Sequence, residues 1–326
     1  MNELFEAEAQ NEALRIGQRD TLEELRGILS GYDLRTCRQG ISETRRGVEE
    51  WLTSRWNSVS NLQVQSTRDA ELARFGRISF YLWGLFQRIS CTYAPDNAYE
   101  NLLRHLASAD QDIGLITFNY DTFLDRALIN VYGVRLETPE EYYAKRLIKI
   151  HGSVNWLTTH RSGDPHVPDG LVSDHGVFAR EAANLMFTGG EIDLSSTLVI
   201  DPTNVLLKSL PSLRTHPRLS GNYFYPFILM PLTDKLYGRL KGHQETLVSK
   251  ARELIQQASE IFVIGYRAAD QLFQGLIKNA QRVPVHVVSH GDAEEIMKHV
   301  VWASGNRVKP GSVNDKGFLQ FVNTYR

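Results

Sequence analysis

The chain has 326 residues, of which 42% are apolar and 23% charged, a composition that excludes a disordered protein and allows one large α/β domain or one domain with an insertion. Its 36 basic and 38 acidic residues nearly cancel, so the net charge of −2 gives no reason to expect a nucleic acid or an anionic membrane as a partner. Two cysteines, Cys37 and Cys91, are too few for a four-cysteine zinc site and allow one disulfide at most.

The first 112 residues have a helical pattern. Apolar residues recur every three or four positions in TLEELRGIL, GVEEWLTSRW and AYENLLRHLA, at residues 21–29, 47–56 and 98–107. The first twenty residues are acidic and polar, unlike a signal peptide, and no apolar run reaches the length of a membrane span. With so few cysteines, these features predict a cytoplasmic protein that contacts no membrane.

The pattern changes at residue 113, where short apolar runs begin. The runs are LITF, LIKI, TLVI, PFILM, EIFVIGY and VPVHVVS. Their length and composition are typical of buried strands, which we expect to be parallel. Helical stretches lie between them at residues 122–133 and 243–258. Strand–helix alternation of this kind predicts an α/β fold, with a parallel sheet flanked by helices.

Residues 158–225 are irregular and rich in Gly, Pro, Ser and His, which predicts a loop-rich insertion. After residue 293 we expect a helix, a polar turn at VKPGSVNDKG and a final short element. The predicted organisation has three parts: a mostly helical region at 1–112, an α/β core at 113–292 that carries the insertion, and a C-terminal extension of the same domain at 293–326.

Polar residues follow two of the apolar runs directly. Asn119 and Asp121 come after LITF, and His151 comes after LIKI. If these runs are parallel neighbours, their carboxyl ends share the edge of the sheet where ligands bind. Two plainer interpretations remain open: Asn119 or Asp121 caps the helix that follows, and His151 is a buried, hydrogen-bonded histidine beside a glycine turn.

A third run, EIFVIGY, ends on Gly265 and Tyr266 and precedes another helix. Glycine at a strand end permits close approach of a ligand. The signal is weak alone, because the packing of a helix on a strand also selects glycine.

Together these segments resemble the prokaryotic sirtuin-like (SIR2-like) NAD hydrolases of anti-phage defence. The resemblance spans roughly residues 47–292, and its specific part is the order of Asn-Tyr-Asp, His-Gly and Ile-Gly-Tyr. The matching segments are GVEEWLTS, LITFNYDTFLDRAL, LIKIHGSVNW, PFILMPLTDK and SKARELIQQASEIFVIGYRAADQLF, followed by VPVHVVSHGD. The resemblance implies a Rossmann-like, sirtuin-type sheet, NAD as the substrate and its hydrolysis to nicotinamide and ADP-ribose.

The resemblance also implies site residues. Asn119 would hold the ribose next to nicotinamide and help to place water, Asp121 would contact the carboxamide, and His151 would act as a base toward the ribose hydroxyls. The catalytic residues are then Asn119 and His151. The implied cofactor-binding residues are Asp121, Thr117, Gly152, Gly265, Tyr266 and Asp292, the last in the turn that approaches the adenosine end of NAD. No metal is expected.

The chain departs from the family in two ways. It lacks the four cysteines of the zinc module of protein deacylases, so deacylation is not expected. It also contains no Gly-x-Gly, the core of the loop that holds the NAD pyrophosphate in that family. The alternative function is therefore an impaired sirtuin-like binding or assembly module without the phosphate loop, and a start codon called too late is a third explanation.

The expected partners follow from the resemblance. They are NAD or an ADP-ribose-type small molecule, a protein activator or sensor encoded nearby, and further copies of the chain in a homo-oligomer.

Overall fold

The computed structural model describes residues 35–37, 39, 43, 48–91, 93–109, 112–160, 197–203, 223–228, 243–268 and 270–324. The predicted helix at 21–29 and most of the predicted insertion at 158–225 lie outside these residues. Within the described part of the chain, no helix is both long and apolar enough to cross a membrane.

The described elements are as follows. The helices are α1 (Val48–Ser60), α2 (Gln65–Cys91), α3 (Ala98–Ser108), α4 (Phe123–Tyr132), α5 (Pro139–Ala144), α6 (His243–Gln257), α7 (Gln271–Ile277), α8 (Ala293–Ala303) and α9 (Gly317–Thr324). The strands are β1 (Leu115–Thr117), β2 (Leu147–Lys149), β3 (Gly152–His160), β4 (Thr197–Val199), β5 (Tyr223–Ile228), β6 (Ile261–Ile264), β7 (Pro284–Val288) and β8 (Lys309–Asn314). The helices predicted at 47–56, 98–107, 122–133 and 243–258 are confirmed as α1, α3, α4 and α6.

The strands form three hydrogen-bonded ladders. β1 pairs with β2, and β7 pairs with β6 and β8, in each case in parallel. In the third ladder β3 lies between β4 and β5 and is antiparallel to both. The chain is therefore a mixed α/β protein with parallel sheets, as the alternation of strands and helices predicts.

Two strand predictions and one turn prediction are wrong. TLVI and PFILM form β4 and β5, which are antiparallel rather than parallel, because an apolar run shows burial but not the direction of its partner. The partner itself, β3, is missing from the prediction. The polar turn expected at VKPGSVNDKG is strand β8, whose exposed residues suit an edge strand.

The described residues fall into two compact units. The first takes its residues from Met1–Thr92, Asn119–Thr122 and His151–His243, and the second from Tyr93–Phe118, Phe123–Ile150 and Gln244–Arg326. The predicted division at residues 112 and 292 stays a prediction.

The core of the first unit joins α2 to the antiparallel ladder. The indole Nε1 of Trp83 in α2 donates to the backbone oxygen of Val154 in β3 at 2.8 Å. On the same ladder the rings of Trp156 and Phe227 stack with their centroids 5.9 Å apart, and both side chains are buried. Burial of large aromatic side chains supplies much of the apolar area that stabilises such a unit.

In the second unit the helices begin on polar caps that the sequence provides. Asn97 accepts from the backbone N–H groups of Tyr99 and Glu100 at the start of α3. Thr138 and Glu141 form a reciprocal capping box at the start of α5. Such caps satisfy backbone donors that a helix cannot satisfy itself, and each contributes about 1 kcal/mol.

Buried Glu100 in α3 ties this helix to α4. Its carboxylate accepts from Nδ2 of Asn130 at 2.7 Å, from the Tyr93 hydroxyl through a short hydrogen bond, and from Arg104 at 2.7 Å. Burial alone would raise the pKa of Glu100, but hydrogen bonds from Asn130, Tyr93 and the backbone of Asp96, with the charge of Arg104, together lower this pKa. For Tyr93, burial first and then Glu100 raise the pKa to about 12.

Gly152 occupies a position that no other residue fits. Its φ is +77°, in the left-handed region, and a Cβ built there would lie 2.0 Å from the backbone oxygen of Phe227. The first residue pair between β3 and β5, Gly152 with Ile228, therefore forms only because residue 152 has no side chain.

We predict that Gly152→Ala lowers the free energy of unfolding by about 3 kcal/mol, because a left-handed alanine and a backbone clash act together. Gly275→Ala is the matched control, since a Cβ at this exposed position in α7 meets nothing within 4 Å. This control should be more stable by about 0.5–1 kcal/mol. Urea unfolding followed by circular dichroism measures the stability of both variants. If Gly152→Ala is as stable as Gly275→Ala, the prediction is wrong.

The shifted pKa values of Tyr93 and Glu100 predict that the stability of the protein depends on pH. The Tyr93 pKa is raised from 10.0 to about 12, so its contribution is complete below pH 10 and is lost as the pH rises toward 12. The Glu100 pKa is lowered, so its contribution is complete above the unfolded pKa and is lost as the pH falls toward the folded one. In a plot of melting temperature against pH, Tyr93→Phe should flatten the decrease above pH 10. If the wild type and the variant lose stability equally in this range, the prediction is wrong.

Candidate functional site

The carboxyl ends of β1 and β2 share one edge of their ladder. The strands run in parallel with Thr117 opposite Lys149, and the backbone N–H of Ile150 donates to the oxygen of Thr117 at 3.0 Å. The prediction that LITF and LIKI are parallel neighbours is therefore confirmed. Thr117, a predicted cofactor-binding residue, ends β1 on this edge.

The segments that follow these strands belong to the first unit, where they contact each other. The backbone oxygen of Tyr120 accepts from the N–H of Val154 at 2.9 Å and from the hydroxyl of Ser153 at 3.3 Å. The rings of Tyr120 and His151 are stacked, with centroids 6.0 Å apart. The Asn-Tyr-Asp and His-Gly segments thus lie side by side.

The predicted residues of these segments differ in exposure. His151 is 5% exposed, and Tyr120, packed against Phe86 at 5.1 Å on its other side, is equally buried. Asn119 is exposed and Asp121 is half-buried. A buried imidazole beside an exposed amide gives the segment pair one shielded and one accessible polar group.

The helix-cap interpretation of Asn119 does not fit the helix boundary. α4 begins at Phe123, so the N-cap position belongs to Thr122, three residues after Asn119. Thr122 is itself buried: its N–H donates to the hydroxyl of Ser90 at 3.1 Å, and its hydroxyl donates to the oxygen of Pro202 at 3.3 Å. Asp121 precedes Thr122, and its cap role stays open.

A buried ion pair fixes the end of β2. The ammonium of Lys149 lies 2.8 Å from one carboxylate oxygen of Asp125, and the hydroxyl of Tyr142 donates to the other at 2.7 Å. All three side chains have 0% exposure. Sequence reasoning missed this group, although a lysine inside the apolar run LIKI signals a charge that needs a buried partner.

In the second unit, aromatic rings collect where β1 and β6 end. Phe118 stacks on Tyr266 with centroids 4.5 Å apart and an interplanar angle of 14°. Phe273 in α7 meets Tyr266 edge-on at 5.4 Å. Gly265 precedes Tyr266 with φ at +62°, and a Cβ there would meet nothing within 4 Å, so its backbone is open on that side.

Asp292 lies in the turn after β7, at the start of α8. Its carboxylate accepts a short hydrogen bond from the hydroxyl of Ser289. The first N–H of α8, from Ala293, is satisfied instead by the carboxylate of Asp315 at 2.7 Å. Asp315 was not predicted, because it comes from the turn after β8, the strand that the sequence did not reveal.

The eight predicted site residues are divided between the two units. Asn119, Asp121, His151 and Gly152 belong to the first unit, in two segments that the hydrogen bond between Tyr120 and Val154 joins. Thr117, Gly265, Tyr266 and Asp292 belong to the second, where all follow or end parallel strands. Their role in binding or catalysis stays a prediction.

Comparison with known proteins gives little support for a family. No protein-family model matches the chain, and no curated protein does. Seven chains of solved structures match. One is a crystal structure of SIR2 in complex with an inhibitor, 2'-O-acetyl-ADP-ribose and a deacetylated peptide, with 13% identity and a TM-score of 0.36 over 70% of this chain and 69% of that chain.

We predict that Lys149→Met costs about 3–5 kcal/mol of unfolding free energy, because it leaves the buried carboxylate of Asp125 without its cation. The double variant Lys149→Met, Asp125→Leu should regain part of this loss. Lys250→Met is the control, since it removes an exposed ion pair with Glu253 and should cost under about 1 kcal/mol. Chemical denaturation measures all three, and a similar loss for Lys149→Met and Lys250→Met would contradict the prediction.

Proposed function

We propose that the protein hydrolyses NAD to nicotinamide and ADP-ribose. The observation that carries the proposal is the contact between the Asn-Tyr-Asp and His-Gly segments, through Tyr120 and Val154 at 2.9 Å, directly after two parallel strands. Ligands bind outside the carboxyl ends of parallel strands, where loops converge. The order and type of these residues, together with the Ile-Gly-Tyr run, supply the resemblance to sirtuin-like NAD hydrolases.

The reaction requires little acid catalysis. The bond between ribose C1' and the pyridinium nitrogen breaks, nicotinamide leaves as a neutral base, and the oxygen of water bonds to C1' with release of one proton. The developing charge is a sugar cation, so the protein has to stabilise that cation and orient the water. In this proposal exposed Asn119 holds the ribose and positions water, and Asp121 contacts the carboxamide.

His151 is the proposed base toward the ribose hydroxyls. An imidazole is the side chain whose ordinary pKa suits proton exchange near neutral pH. Its burial beside Tyr120 limits competition from bulk water, which strengthens a hydrogen bond to a bound hydroxyl.

The phosphates of NAD require hydrogen-bond donors other than those of a Gly-x-Gly loop. No Gly-x-Gly occurs in the sequence, so the backbone loop that usually binds a pyrophosphate is not available from that motif. Gly265 fits a supporting role, because its backbone is exposed and open on the Cβ side. We propose Thr117, Gly152, Gly265, Tyr266 and Asp292 as the remaining NAD-binding residues.

We also propose that the protein acts as an effector of anti-phage defence that depletes NAD. In this role a protein activator or sensor encoded nearby, or assembly into a homo-oligomer, switches it on.

We predict that Asn119→Ala and His151→Asn each reduce nicotinamide release from NAD at least about 100-fold, the usual scale for losing a positioned catalytic group. Purified protein is assayed by chromatography, alone and with its genomic neighbours. His105→Ala is the control, because it removes an exposed imidazole from α3 and should retain wild-type turnover.

Binding and unfolding measurements separate catalytic from structural effects. Both variants should retain cooperative unfolding and should still bind ADP-ribose, with an affinity lowered only by the lost contact to one ribose. Full turnover in either variant, or no nicotinamide release by wild-type protein that binds NAD, would falsify the hydrolase assignment.

The absence of Gly-x-Gly favours the second candidate, a binding or assembly module that has lost catalysis. Calorimetric titration with NAD and ADP-ribose distinguishes the candidates. A hydrolase binds at least one of them, whereas a pure assembly module gives no heat with either.

A further inference from the structure

A groove of about 410 Å³ lies in the second unit, on the opposite side of β1 and β2 from their carboxyl ends. It is lined by Tyr143 and Arg146 before β2, by Ile148 within it, and by Lys250, Glu253 and Leu254 of α6. Leu254 approaches within 3.1 Å of the position that a Cβ would take at Gly114, just before β1. The volume is in the range of small-molecule sites, which begins at about 300 Å³.

Two hydrogen-bond donors of this groove are buried without a partner among the described residues. They are the phenol oxygen of Tyr143 and the guanidinium Nε of Arg146. Burial raises the pKa of the Tyr143 phenol, and nearby Glu140 raises it further, so the phenol stays protonated and able to donate. Buried polar groups in proteins almost always have a partner, so two donors in one groove that no described residue satisfies are suited to an acceptor on a bound ligand.

Two cationic residues, Arg146 and Lys250, and one anionic residue, Glu253, line the groove. Arg146 is 30% exposed and forms an ion pair with Asp112, which is 80% exposed. Lys250 pairs with Glu253 at 2.9 Å along the exposed side of α6. Ion pairs at the surface contribute little to stability. The anion of a ligand can therefore replace the carboxylate of Asp112 or Glu253 as the partner of Arg146 or Lys250 at little cost. Ile148 and Leu254 give the groove an apolar floor.

We propose that this groove is a second small-molecule site, and that it binds an oxyanion, carboxylate or phosphate, carried on a small apolar group. The oxyanion accepts from Tyr143 and Arg146, with Lys250 as a further cation, and the apolar group contacts Ile148 and Leu254. A guanidinium suits either oxyanion because it offers planar, paired donors.

The residues that line the groove differ from all of those proposed for NAD. Arg146 precedes β2, whereas Lys149 ends it, and the predicted site residues of this segment come only after that end. The inference rests on unsatisfied donors in the second unit and stands whether or not the chain hydrolyses NAD.

Titration calorimetry with the full chain tests the proposal, using sodium benzoate, phenyl phosphate and the uncharged benzamide at millimolar concentrations. We expect at least one of the two anions to bind and benzamide to bind at least about tenfold more weakly. Binding of benzoate alone identifies a carboxylate site, and binding of phenyl phosphate alone identifies a phosphate site. No binding of either anion overturns the proposal.

Variants locate the site. Tyr143→Phe and Arg146→Gln should each lower the affinity for the anion about tenfold, as expected for the loss of one hydrogen bond to a charged group. Arg135→Gln removes an exposed arginine outside the groove and should leave the affinity unchanged. Tyr143→Phe should also leave the free protein as stable as the wild type or more so, because it deletes an unsatisfied buried hydroxyl. Unchanged affinity in both groove variants, or an equal loss in Arg135→Gln, refutes the assignment.

Discussion

The buried carboxylate of Asp125 is the interaction on which the second unit most depends. It receives Lys149 from β2 and Tyr142 from α5 while it belongs itself to α4, so one side chain joins a strand and two helices. Removing two charges from water is costly, and the cost is recovered only when the partners keep their geometry. The pair therefore holds the end of β2 against α4 and α5.

Polar groups of two kinds flank the same short strands along the chain. After the carboxyl ends of β1 and β2 come an exposed amide, a half-buried carboxylate and a buried imidazole. At their amino ends the chain carries a cationic, partly apolar groove with unsatisfied donors.

Much of the fold follows from local sequence. The helices at 47–56 and 98–107 and the parallel strands at LITF, LIKI, EIFVIGY and VPVHVVS are predictable, because periodicity and apolar runs are local signals. Strand direction is not local: TLVI resembles LIKI in sequence yet pairs antiparallel with β3, a partner 40 or so residues away along the chain. β8 escapes prediction because an exposed edge strand carries the Lys, Pro and Gly residues of a turn.

The candidate site divides in the same way. That Asn119 and His151 follow neighbouring strands is predictable, since parallel strands end on one edge. That Tyr120 lies between Phe86 and His151, or that Asp315 rather than Asp292 caps α8, depends on contacts between distant segments. No residue pattern within either segment encodes those contacts.

The two glycines of the predicted site should have different evolutionary histories. At position 152 both the backbone angle and the oxygen of Phe227 exclude a side chain, so related sequences should keep glycine whether or not they retain an activity. At position 265 only the angle selects glycine, and the space beside it is open. Asparagine and aspartate tolerate that angle best and should appear there among relatives. Invariance at 265, unlike invariance at 152, would therefore record selection by a bound molecule.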